Sequence, residues 1–169
     1  MIQPTTKILK PSNIYGQAGL IYIRYHAEIE DKANGQKKIG GKRSAFSKIA
    51  KQIKYEAGAG RYYSLLMGRE FKPGRFAVLL DFDNKEEGDA KNGLELAAKL
   101  KLERHKAPKQ KTPSGGLHYI FWVNAEQGEQ IKSRNGVCYK GVNYNMDMKF
   151  INSLCNCAPS KIDGYGEYK

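Results

Sequence analysis

The chain has 169 residues, 40% of them hydrophobic, enough for one domain with a sizeable core. No apolar run approaches the roughly 18 residues of a membrane span and no signal-peptide core opens the chain, so neither a membrane partner nor secretion is expected. Lys and Arg number 29 against 17 Asp and Glu, a net charge of +12 that suits a polyanionic partner, most often nucleic acid.

The excess is uneven. Residues 1–75 carry 15 basic and 5 acidic side chains, whereas residues 76–169 carry 14 and 12, so the first part is the candidate nucleic-acid surface. Three cysteines are an odd number, which argues against a disulfide scaffold and for an intracellular, reducing compartment. Cys155 and Cys157 form a C-x-C pair with Cys138 upstream, but a fourth zinc ligand is missing, so buried free thiols are expected.

In chain order, residues 19–29, "GLIYIRYHAEI", alternate as a strand, and the polar "DKANGQKKIGGKR" after them reads as a loop. Residues 44–57 place Phe46, Ile49, Ala50 and Ile53 at helical spacing, with Ser44 as N-cap and Gly58 as the stop. Tyr55, Tyr62 and Tyr63 lie among Lys51, Lys54, Arg61 and Arg69, as rings do that stack on bases while cations track phosphates. Core packing is the competing use for these rings.

Residues 76–80 read as a buried strand, yet the run ends in Asp81 and Asp83 around Phe82. Strand alternation points both acids to one face, roughly 6.6–6.8 Å apart, where like charges repel. Asp89 can cap a helix running to residue 104 with Leu94, Ala97, Ala98 and Lys101 in register, and "KLKLERHKAPKQK" ends it in a solvated basic run. Residues 117–123, "LHYIFWV", and 144–151, "YNMDMKFI", are further strands. Strands and helices alternate throughout, so the class is α/β or α+β around one mixed sheet.

Three places carry chemistry. Asp81 and Asp83 are the first. In the second, "TPSGGLHYIF", Gly115 and Gly116 can turn tightly and present backbone N–H groups to an anion, with Ser114 before them and His118 on the emerging strand. The third is Asp147 within an apolar strand, with Lys149 on the same face. Three carboxylates on two strands destabilise each other without a cation, and hard divalent ions take carboxylate oxygens. Two such ions about 3.5–4 Å apart are the usual machinery for in-line attack on phosphorus. Alternatives remain: solvated strand-end acids, hairpin glycines, and a surface ion pair.

"LLDFD", then "TPSGGLHYIF", then "MDMKF" followed by "CAPS", resembles the archaeo-eukaryotic primase superfamily, closest to primase-polymerase domains of plasmids, phages and large DNA viruses. The matches are Asp81 and Asp83, then Ser114, Gly115, Gly116 and His118, then Asp147 and Lys149, and finally Pro159 and Ser160. "FINSLCNCA" stands where the family often has a Gly-rich turn, and residues 1–50 take no part.

The resemblance implies an RRM-like catalytic unit joined to a smaller α/β unit, within one domain over residues 1–169 that stands alone or belongs to a longer primase-helicase. It implies Mg²⁺ or Mn²⁺ on Asp81, Asp83 and Asp147, and nucleoside triphosphate held by Ser114, Gly115, Gly116, His118 and Lys149. Single-stranded or primed DNA would be the template, a fused or associated helicase a further partner, and a site of DNA replication the place of action. A non-catalytic nucleic-acid-binding module and a metal-dependent nuclease are the competing readings.

Overall fold

The computed structural model describes residues 18–20, 22–25, 29–31, 35, 37–39 and 62–169. The helix expected over 44–57, with Lys51, Lys54, Tyr55 and Arg61, lies outside them. The fold is α+β. Strands β1 (Tyr22–Tyr25), β4 (Tyr62–Leu66) and β12 (Leu154–Cys157) form a three-stranded sheet with β4 in the middle. Where a loop was expected, β2 (Ile29–Asp31) and β3 (Lys37–Ile39) form a hairpin.

The larger sheet is built from β6 (Arg75–Phe82), β7 (Lys109–Lys111), β8 (Leu117–Val123) and β11 (Met146–Lys149), in the order β11-β6-β8-β7, with β5 (Glu70–Lys72) beside the start of β6. Helix α1 (Gly93–Lys99) links β6 to β7, and α2 (Ala125–Gln130) follows β8. A β-α-β-β-α-β path with its first strand between its fourth and third is the split, ferredoxin-like arrangement that RRM domains share. The hairpin of β9 (Val137–Tyr139) and β10 (Val142–Tyr144) is inserted before the last strand. Every ladder between described strands is antiparallel, so the sheet is not mixed.

Alternation along the central strands divides the core. Phe82, Tyr119 and Met146 pack with Leu96 and Ala97 of α1, and the Phe82 and Tyr119 rings meet edge to face at 5.9 Å. On the opposite face, Ala77, Leu79 and Ile120 pack with Tyr63, Leu65, Cys155 and Cys157 of the smaller sheet. The polar ends of β6, β8 and β11 project from this second face, where the smaller sheet borders them.

Several local expectations change. Tyr62 and Tyr63 are buried, 5% and 3% exposed, because they sit on the central strand of the smaller sheet, so they cannot stack on bases. Helix α1 is capped by Asn92, whose side chain accepts from the Leu94 N–H, and not by Asp89. Asp89 lies in a turn closed by reciprocal bonds between Glu87 and Ala90, and its carboxylate accepts from Asn143. The helix stops before residue 104 because Lys101 is left-handed, with φ of 53°. Residues 144–151 are broken at Asn145, with Tyr144 ending β10 and Met146 starting β11. Cys155 and Cys157 are buried and outside any disulfide, as expected, but Cys138 is exposed.

Candidate functional site

Register brings the chemistry together. Asp81 on β6 is paired with His118 on β8 to one side and with Asp147 on β11 to the other. Directly opposed residues on neighbouring strands share a face, with Cα atoms about 4.5–5.5 Å apart. Two carboxylates directly opposite are unfavourable unless something balances them.

Two lysines and a histidine donor supply that balance. His118 Nε2 lies 3.0 Å from Asp81 Oδ1, Lys149 Nζ lies 2.5 Å from Asp147 Oδ2, and Lys85 Nζ lies 3.9 Å from Asp83 Oδ2. Asp147 Oδ1 also accepts from the Gly136 N–H at 3.1 Å. The like-charge conflict read from the sequence is therefore offset by the protein itself, and a bound cation is not needed to explain it. Burial alone would lower the Lys149 ammonium, but its hydrogen bond to Asp147 and the charges of Asp147 and Asp81 hold it above its usual 10.5. Lys85 is raised chiefly by its hydrogen bond to Glu87, with Asp83 and Asp147 adding to it. Both ammonium groups stay charged at neutral pH.

Asp83 is fixed through its backbone. Its N–H donates to the Asn145 carbonyl at 3.0 Å and its carbonyl accepts from the Gly93 N–H at 2.9 Å. Asn145 Nδ2 also reaches the carbonyls of Lys85, Ala90 and Lys91, which ties the 84–91 loop to the break in the last strand.

His118 is 4% exposed, and its tautomer follows from Gln110. Gln110 Oε1 accepts from the Ala158 N–H and its Nε2 donates to the Asn156 carbonyl, so the amide has one orientation. That places an N–H donor 2.6 Å from His118 Nδ1, which must accept. The ring proton therefore sits on Nε2 and points at Asp81. Gln110→Ala would take away the partner that this side chain gives His118, Asn156 and Ala158 and is expected to destabilise the fold by about 3 kcal/mol, measured by urea unfolding.

The Ser-Gly-Gly turn packs onto the end of β6. A Cβ on Gly116 would stand 2.6 Å from the Phe82 carbonyl, so only glycine permits this approach. Gly115 has φ of 85°, the left-handed conformation a glycine supplies at little cost. Its N–H, however, donates to the Thr112 carbonyl at 2.9 Å, so it is not offered to an anion as the sequence suggested. The Ser114 hydroxyl lies 3.1 Å from that of Thr112. Ser160 serves the scaffold, since its buried hydroxyl accepts from the Tyr63 N–H and donates to the Tyr63 carbonyl.

These parts open into one cleft of about 270 Å³, lined by Asp81, Asp83, Asp147, Ser114, His118 and Lys149. Lys37, Lys85, Tyr165 and Tyr168 also line it and were not picked out from the sequence. Lys85 had a signal, standing two residues after Asp83, whereas Lys37 comes from a distant hairpin and had none. The three aspartate side chains are 23%, 38% and 25% exposed, so ions and solvent can reach them. Among the described residues no three His, Cys, Asp or Glu side chains form a ready metal cage. In donor chemistry the trio fits a hard divalent ion, which takes carboxylate oxygens.

No family model, curated protein or solved structure matches this chain.

Proposed function

We propose that the cleft is a nucleotidyl-transfer site of the primase-polymerase kind, joining a nucleoside triphosphate to a primer strand on a DNA template. The observation that carries this reading is Asp81, flanked on one sheet face by His118 and Asp147, with Asp83 and the Ser-Gly-Gly turn at the same strand end. The primer 3′-oxygen would attack the α-phosphorus and lose its proton to solvent, and the bond to pyrophosphate would break. Asp81, Asp83 and Asp147 would hold Mg²⁺ or Mn²⁺, which when bound lowers the pKa of the hydroxyl and neutralises the leaving group.

The chain's own cations would do the remaining work. Lys37, Lys85 and Lys149 give the cleft positive charge beside the carboxylates, and a polyphosphate entering it would exchange water for charge-assisted hydrogen bonds. His118, its Nε2 proton on Asp81 and its Nδ1 on Gln110, would keep that carboxylate oriented at the cleft wall. The rings of Tyr165 and Tyr168 would bound the space for sugar and base.

Labelled nucleotide supplied with a primed template and Mn²⁺ tests the proposal. Template-dependent lengthening of the primer supports it. Shortening of the strand would make the cleft a nuclease, and retention of DNA without any covalent change would make the chain a binding module.

A further inference from the structure

The sequence left base stacking and core packing open for the tyrosines, and Tyr62 and Tyr63 are in the core. Among the described residues the exposed large hydrophobic side chains are Trp122, 51% exposed, and Ile151, 58% exposed. Trp122 lies on β8, four residues beyond His118 and on the same face, opposite Ala77 in the ladder. The Arg75 guanidinium lies over its ring, 4.3 Å from the centroid. The same rim carries the 69–75 segment, exposed except at the half-buried Phe71, and its Arg69 carbonyl accepts from the Ala77 N–H. That segment holds Arg69, Lys72 and Arg75 against one acid, Glu70, whose carboxylate accepts from the Gly74 N–H.

We infer that Trp122 and the 69–75 rim form a second nucleic-acid contact, a stacking platform for single-stranded nucleic acid outside the cleft. An exposed indole with a guanidinium beside it offers a flat surface to any base, and the neighbouring cations meet the phosphates on either side. Charge decides the occupant: an exposed ring under the Arg75 guanidinium, on a rim whose 69–75 segment holds three cations and one acid, suits a polyanion with flat bases better than an apolar protein surface. The inference rests on reading the chain as a nucleic-acid protein, but not on the chemistry of the carboxylates.

Trp122 is the chain's single tryptophan, so its emission reports on this site alone. Oligothymidine of about 16 nucleotides, titrated into the whole chain, is expected to quench that emission and shield it from iodide. Trp122→Ala should weaken binding about tenfold, within the range for losing one stacked base. Arg69→Ala with Arg75→Ala should lower the log–log salt slope by about 1.4. Asp81→Asn should quench as the parent does. Oligothymidine binding with unchanged emission and no shielding, or a Trp122→Ala variant that folds and binds like the parent, overturns the platform. If primers are still extended in that case, the cleft reading survives; quenching without extension by the native chain would overturn the cleft reading alone.

Discussion

Asp81→Asn is expected to reduce metal-dependent nucleotide addition by about three orders of magnitude or more while leaving the fold within about 1 kcal/mol of the parent. The asparagine carbonyl oxygen can still accept the His118 Nε2 proton that now reaches Asp81 Oδ1 at 3.0 Å, so no buried donor is orphaned. The change also removes one of two charges directly opposed across β6 and β11, which offsets the loss of the charge-assisted bond. Activity has no such substitute, because a neutral amide is a poor ligand for an ion that carries transition-state charge. Asp81→Ala makes the contrast. It leaves the buried His118 donor without its acceptor and should cost about 1–3 kcal/mol in addition to the lost activity. Extension rates beside urea midpoints separate the two effects. A purely structural carboxylate would give an asparagine variant whose activity follows its folded fraction.

Gly93→Ala should have the largest effect on the fold of any methyl addition near the site. A Cβ there would stand 2.1 Å from the Asn145 carbonyl oxygen and 2.9 Å from both the Asp83 nitrogen and oxygen. All three atoms are backbone, so no side chain can rotate away. Relief requires α1 to move off the end of β6, which breaks the Gly93 to Asp83 bond and draws on the Asp83 to Asn145 bond. Alanine's better helix propensity recovers only about 1 kcal/mol. The expected net cost is about 3 kcal/mol, at the upper end for overpacking, with the melting temperature lowered and nucleotide addition lost in the fraction that still folds. Gly141→Ala is the control for a glycine with no atom within 4 Å of its Cβ; its φ of 77° makes strain the sole cost, about 1 kcal/mol.

Period-two alternation was enough to put Asp81 and Asp83 on one face and to place His118 on a strand, because these are properties of single strands. The meeting of Asp81 with His118 and Asp147 was not legible, since it depends on which strands become neighbours over more than 60 residues of chain. Which of the two uses left open for Tyr62 and Tyr63 applies was not legible for the same reason, their burial being set by β1 and β12 on either side of β4. Asp89 and Asn92 are both good caps by residue type, and the choice fell to Asn92 because Asn145 and the 87–90 turn hold the preceding loop. Gln110 did leave a trace. In "KQK" the glutamine alternates with two lysines, and the strand turns it inward and both lysines out. The basic run around it hid a strand that orients the site's histidine.

Binding of Mn²⁺, followed through the electron paramagnetic resonance signal of the free ion, tests most directly whether the strand-borne aspartates form a cation site. The native chain is expected to take up Mn²⁺ and to hold it more tightly when a nucleoside triphosphate is added. Asp81→Asn and Asp83→Asn should each lose that uptake while their unfolding midpoints stay near the parent's. A native chain that leaves the Mn²⁺ signal unchanged with and without nucleotide, or aspartate variants that bind the ion as the parent does, would contradict the account and make these carboxylates structural partners of His118, Lys85 and Lys149.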